Sequence, residues 1–182
     1  FCEVALKCSA AAQAARWTHR GNDDGFIPSF NGPHSLFVDT IRSCRSLMLG
    51  HRLGHTLMEE GDTAVSLLDR ALQHIRTTAR YCVFYGEGRD IYDLRGRTAH
   101  ESLFNIRTGV FRAPATQQGY SGFSTWTRGL AWAMCGLPEQ LEFLDTLDND
   151  ELAPHGGREH NEALMLRAAR ATCDFYIDHT AT

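Results

Sequence analysis

The chain has 182 residues, 43% of them apolar and 22% charged, with a formal net charge of −4. These values are ordinary for a single folded domain, and the acidic balance argues against general nucleic-acid binding, which needs a basic surface. No run of about 18 apolar residues occurs, so no segment reads as a membrane span.

In chain order, residues 1 to about 19 read as a helix. Val4, Ala5, Cys8, Ala11, Ala12 and Ala15 recur at helical spacing, and the alanines imply close packing. "HRGNDDGFIPSFNGP" (19–33) reads as a loop rich in Gly, Asn, Asp and Pro. Pro33 suits the opening of a second helix over 34–58, with Phe37, Ile41, Cys44 and Met48 as its apolar stripe. Gly61-Asp62 breaks and re-caps the chain. A third helix over 63–83 follows, with Ala64, Leu68, Leu72, Ile75 and Ala79 on one face.

Periodicity is then lost from Phe84 to Phe123, an unusual length of irregular chain unless it is functional. Short strands fit at "ESLFNI" and "GVFRA". Ser124 is placed to cap a fourth helix over 125–146, bent at Gly136-Leu137-Pro138. "DNDELAPHGGRE" is a further loop. A fifth helix from about Glu159 carries Leu164, Ala168, Ala171, Phe175 and Tyr176. No strands alternate with the helices, so a parallel sheet is not expected. The expected class is all-α, as a closed bundle or as part of a helical toroid.

The fourth helix carries the chemistry. Residues four apart share a helix face, so Ser124, Arg128 and Trp132 fall in one row. Gly129 in the same helix costs about 1 kcal/mol relative to alanine, which a close approach of another group would offset. A guanidinium binds a carboxylate through two parallel hydrogen bonds, and an indole face covers a sugar ring. The pair therefore suits an acidic sugar. From the pattern alone, a cation–π contact in a helix–helix seam is the favoured reading of the same residues.

"QGYSGFSTWTRGLAW" (118–132) resembles the signature of the unsaturated glucuronyl hydrolases, glycoside hydrolase family 88. Gln118, Gly119, Tyr120, Ser124, Trp126, Arg128, Gly129, Ala131 and Trp132 match it at unbroken spacing. "LFVDTIRS" looks like the family segment that carries a catalytic aspartate, here Asp39. His100 stands before Gln118 at the spacing of the family's active-site histidine. The chain departs from the family at Leu130, at Ser121-Gly122-Phe123 and at Thr40-Ile41-Arg42. The resemblance implies an (α/α)6 barrel, of which residues 1–182 would form one partial catalytic domain. The family's other acid, in a His-Asp-x-Gly-Phe motif, would precede residue 1, and C-terminal helices would follow.

The resemblance also implies a reaction. A terminal 4,5-unsaturated uronate, left on oligosaccharides by polysaccharide lyases, is hydrated at its C4=C5 double bond. The resulting hemiketal rearranges and releases the next sugar. Asp39 is the expected acid/base, and it needs a raised pKa to donate near neutral pH. His100 is its expected partner, with Gln118, Arg128 and Trp132 binding the uronate. Trp126 is expected in the core. Without the resemblance, Asp39 would read as a surface residue paired with Arg42 at i+3, and His100 as a loop histidine.

No cofactor or metal is expected, and the only partner expected is the unsaturated oligosaccharide. "HRLGH" (51–55) places two histidines at i, i+4 with Glu59 beyond, but Arg52 stands where a metalloprotease helix needs its glutamate. The six cysteines contain no CxxC pair and read as reduced thiols of a cytoplasmic protein. Alternatives to the hydrolase are a non-catalytic carbohydrate-binding toroid, an unsaturated rhamnogalacturonyl hydrolase or a sugar epimerase.

Overall fold

A computed structural model describes residues 1–21 and 24–180. Asn22 and Asp23 of the loop expected over 19–33, and the last two residues of the "FYIDHTAT" end, lie outside the described residues.

Six helices dominate: α1 (Cys2–Ala15), α2 (Ser43–Arg52), α3 (Leu67–Tyr81), α4 (Thr127–Leu144), α5 (Asn149–Leu152) and α6 (Gly157–His179). Seven short strands accompany them among the described residues, with three 3-10 turns between: β1 (Thr18–His19), β2 (Gly25–Phe26), β3 (Ser35–Phe37), β4 (Leu57–Glu59), β5 (Thr63–Val65), β6 (Glu101–Phe104) and β7 (Phe111–Ala115). They form two ribbons, β1-β2 and β4-β5, and one three-stranded sheet in the order β3-β6-β7. All these pairings are antiparallel. The all-α expectation holds for the scaffold, and the strands at "ESLFNI" and "GVFRA" are present as β6 and β7. No helix among the described residues is long and apolar enough to cross a membrane.

Helix α1 packs on α2, α2 on α3, and α4 on α6. The core is one cluster in which Ile41, Cys44, Leu47 and Met48 meet Leu68, Leu72 and Ile75 of α3 and Ala133 and Leu137 of α4. Each such large apolar side chain contributes about 1.5–3 kcal/mol by leaving water.

Several boundaries differ from the sequence reading. The 34–58 segment is not one helix. It begins as strand β3, tightens into a 3-10 turn at Val38–Arg42, becomes α2 and leaves as β4. Its stripe of Phe37, Ile41, Cys44 and Met48 is nevertheless buried. Periodicity reported the burial correctly but not the backbone, because Phe37 pairs with a neighbouring strand instead of its own turn. Helix α3 starts at Leu67, capped by Ser66, whose side chain accepts from the Asp69 N–H at 3.1 Å. Ala64 lies in β5 and is exposed.

On α1 the inferred face is the wrong one. Ala10 and Ala14 are fully buried, whereas Val4, Ala5, Cys8, Ala12 and Ala15 are exposed. A helix with apolar residues all round gives no sequence signal for which side meets α2. Helix α4 begins at Thr127 and runs through Pro138 as one element. Ser124 does not cap it; its hydroxyl bonds the backbone of Ser121. Within "DNDELAPHGGRE", Asp148 and Glu151 form a capping box for α5, and α6 already begins at Gly157.

Candidate active site

The sheet β3-β6-β7 delivers three segments to one place. Phe37 pairs with Glu101, and the next bond runs from the Val38 N–H to the His100 carbonyl at 3.0 Å. Asp39 follows immediately and therefore arrives beside His100. Glu101 also pairs with Ala115 of β7, so Thr116 and Gln117 leave the sheet on the other side of His100. Helix α4 closes the group. Its start packs on the turn at 38–42 so tightly that a Cβ on Gly129 would lie 3.2 Å from Val38 and 3.0 Å from the Trp126 ring. A Cβ on Gly136 would lie 2.6 Å from Ile41. That close approach offsets the helix propensity the two glycines forgo.

Asp39 Oδ1 and His100 Nε2 stand 3.9 Å apart, too far for a hydrogen bond. Both atoms are buried and lack a hydrogen-bond partner among the described residues. A ligand oxygen placed between them would satisfy both. Burial raises the Asp39 pKa above the usual carboxylate value, outweighing His100, its own backbone N–H, Arg128 and the Trp132 indole N–H, which all pull it down. Burial likewise lowers the His100 pKa, against the opposing charges of Asp39 and Glu101 and together with Arg128. Each change favours the uncharged form.

His100 is 1% exposed. Its ring lies between Phe37, at 4.5 Å between centroids, and Trp126, at 4.3 Å. Trp126 is thus a wall of the site, not only core as expected. Arg128 is exposed, with its guanidinium 4.9 Å from the centre of the Trp126 ring. The expected Arg128–Trp132 surface is therefore replaced by two stacked pairs. Arg42 covers Trp132, 4.4 Å from its ring centre. Arg42 is not paired with Asp39, the surface alternative considered from sequence. Trp132 is also near enough to Asp39 for its indole N–H to be the weakest of the groups that lower the Asp39 pKa. One side chain cannot stack on both indoles: Trp126 lies before the helix and Trp132 beyond its first turn.

Gln118 is exposed and has no hydrogen bond among the described residues. Its neighbour Gln117 is the residue tied in. The Gln117 N–H donates to His100 Nδ1 at 3.2 Å, and its amide donates to Glu101 Oε2 at 3.1 Å. Glu101 is buried and also accepts from Ser35 at 2.6 Å and Asn31 at 3.0 Å. Sequence reading missed Glu101, Thr116, Gln117 and Arg42. An acidic residue opening an otherwise apolar strand was the one available signal.

Trp132 and Arg42 also line a cleft of about 500 Å³ with Gln13, Ser46, Cys135 and Glu139. A larger cleft of about 780 Å³ lies between α3, the 85–93 loop and α6, and includes none of the residues above. Its Arg89 is committed to the backbone carbonyls of Arg80, Tyr81 and Val83. Asp39, His100 and Arg128 line neither cleft; we place the chemistry where the unsatisfied Asp39 and His100 atoms face one another, next to the Trp132 end of the smaller one. "HRLGH" is not a ligand set in the fold. Helix α2 ends at Arg52, so His55 leaves the helical face; His51 pairs with Glu151 and Glu59 with Arg70.

The arrangement defines a class: a helical scaffold holding a half-buried carboxyl and a buried imidazole beside a stacked arginine. No family model matches the chain. It is 27% identical over 147 residues to an unsaturated chondroitin disaccharide hydrolase of Streptococcus pyogenes serotype M1, covering 78% of this chain and 32% of that protein. It is 28% identical over 109 residues to an unsaturated glucuronyl hydrolase of Formosa agariphila, covering 60% of this chain and 21% of that protein. A solved UGL variant with dGlcA-Glc-Rha-Glc superposes with a TM-score of 0.68 at 18% identity, covering 97% of this chain and 39% of the other. The chain is thus similar in sequence to unsaturated glucuronyl hydrolases and shares part of the α/α-barrel fold of the solved ones. It spans about a third or less of the length of these curated relatives.

Proposed function

We propose that the intact protein is a glycoside hydrolase that removes a terminal 4,5-unsaturated uronate from lyase-generated oligosaccharides by hydrating the C4=C5 bond. The observation that carries this reading is the Asp39–His100 pair, 3.9 Å apart, with both facing atoms buried and unpartnered. In this reading residues 1–182 are part of one barrel-type catalytic domain. The names of the relatives support the substrate class.

Asp39 is the proton donor. Its raised pKa keeps a proton available at higher pH than an ordinary carboxylic acid allows. That proton goes to C4, and water adds at C5. The C5 hemiketal then opens and releases the next sugar. Arg128 holds the uronate carboxylate, with its guanidinium plane set by Trp126. Trp132 and Gln118 complete the sugar-binding group, and His100 donates a hydrogen bond to a ring substituent. Turnover falls as pH rises through the Asp39 pKa, because the donor is then lost.

The test is an assay of the intact protein with unsaturated disaccharides, following loss of the double-bond absorbance. Steady loss with wild type, and none with Asp39→Asn, is expected. No turnover of any unsaturated uronate by the wild type would overturn the reading.

A further inference from the structure

We infer that Thr116 is a positioning residue which, with the Gln117 backbone N–H, locks His100 as a neutral imidazole carrying its single proton on Nε2. His100 is then a permanent hydrogen-bond donor beside Asp39 and does not shuttle protons. The catalytic consequence rests on the hydrolase reading above; the tautomer itself does not.

The hydrogen-bond geometry leaves one consistent assignment. A backbone N–H can only donate, and that of Gln117 is directed at His100 Nδ1 from 3.2 Å. Thr116 Oγ1 lies 3.0 Å from the same nitrogen. That oxygen already accepts from the Gly119 N–H at 2.8 Å, so its own proton is free to point at Nδ1. Two donors converge on Nδ1, which therefore presents its lone pair. The ring proton of a neutral histidine then sits on Nε2. Nε2 is the nitrogen 3.9 Å from Asp39 Oδ1, and it has no partner among the described residues. Protonating Nδ1 would break the Gln117 bond, since two N–H groups cannot bond each other, and would force the Thr116 bond to reverse inside a buried site.

The surroundings hold the ring in this orientation. Phe37 and Trp126 flank it, and Gln117 is tethered through its amide to Glu101. Gly119 is small for a reason. A Cβ there would lie 2.8 Å from Thr116 Oγ1 and 3.1 Å from Trp126 Cβ. The glycine of the "QGY" stretch thus lets the loop fold back and fix the threonine hydroxyl, and through it the imidazole.

The experiment is nitrogen NMR of the intact protein labelled at histidine ring nitrogens, with His100 assigned by His100→Gln. A lone-pair Nδ1 and a protonated Nε2 are expected, unchanged from about pH 5 to about pH 8, where an ordinary histidine titrates. A protonated Nδ1, or conversion to imidazolium within that window, would overturn the inference. Thr116→Val removes the hydroxyl and keeps the shape. It is expected to mix the His100 tautomers and to lower kcat about ten- to hundredfold with KM within about twofold. Thr116→Ser is expected to restore both readouts. If Thr116→Val leaves the spectrum unchanged, or serine fails to restore it, Thr116 has no positioning role. Inactivity of the wild type would sink the hydrolase reading and leave the spectroscopic result standing.

Discussion

The two sides of the candidate site are built differently. On the sheet side, His100 and Glu101 are buried, and Thr116, Gln117, Ser35 and Asn31 converge on them through hydrogen bonds. On the α4 side, Arg128 and Gln118 are exposed, and Arg128 rests only on an indole face. One side is fixed before any ligand arrives; the other offers charge that only a ligand can engage. A site that must place a proton donor to within tenths of an ångström needs the first kind of wall. In the proposed hydrolase, a site that must admit and release a charged sugar needs the second.

Asp39 sits between the two, and changing it gives the largest effect. Asp39→Asn is expected to lower kcat at least a hundredfold, in the range of a lost general acid, roughly 10²–10⁴. The same variant is expected to melt no lower than wild type at neutral pH. The sign follows from the raised folded-state pKa. Below the unfolded value the carboxyl is protonated in both states and costs nothing. As pH rises through the folded value, holding the ionised form in the site costs stability. The melting-temperature gap in favour of the asparagine variant should therefore open with rising pH across that interval. A gap that closes with rising pH would show that Asp39 is better stabilised as an anion.

Arg128→Ala sharpens the contrast from the open side. The loss of a charged hydrogen-bonding contact, about 1.5–3 kcal/mol, should raise KM roughly ten- to hundredfold. Stability should move by no more than about 0.5 kcal/mol, since the side chain is exposed. Steady-state kinetics and urea unfolding read the two effects separately. Equal losses in both would make the α4 side structural as well.

Glu101→Ala should show the reverse pattern. It strips Ser35, Asn31 and Gln117 of their acceptor. Ser35 is the buried donor of the three, and leaving a buried donor unpaired costs about 1–3 kcal/mol, readable as a lower urea midpoint. Gly129→Ala should have a small net effect on stability. The propensity gain of about 1 kcal/mol opposes the shift forced on Trp126 and Val38, whose atoms would lie 3.0 and 3.2 Å from the new Cβ. A rise in stability with a drop in kcat would show the ring sandwich around His100 to be sensitive to that shift.

Much of the fold was legible where burial repeats at a fixed period. Leu68, Leu72, Ile75 and Ala79 of α3 are buried as their spacing requires. The strands β6 and β7 could be placed, though not paired. On α1 the method failed because Ala and Cys occupy both faces, and propensity carries no direction. Asp39, His100 and Arg128 became candidates through resemblance, and the fold brings Asp39 and His100 together. Thr116, Gln117 and Glu101 were not, because nothing in "ATQQ" or "HESL" shows that strands β6 and β7 end side by side.

The sequence by itself determined the local elements: a helical scaffold, its apolar stripes, and a glycine-bearing segment ending in Arg128 and Trp132. These depend on contacts within about four residues, which periodicity and capping report directly. Only the tertiary structure decided which residues meet. Pairing of Phe37 with Glu101 sets Asp39 against His100 across 61 positions of chain, and burial of that pair shifts both ionisations towards the neutral state. Strand register and exclusion from water are properties of packed surfaces, and no short stretch of residues carries them alone.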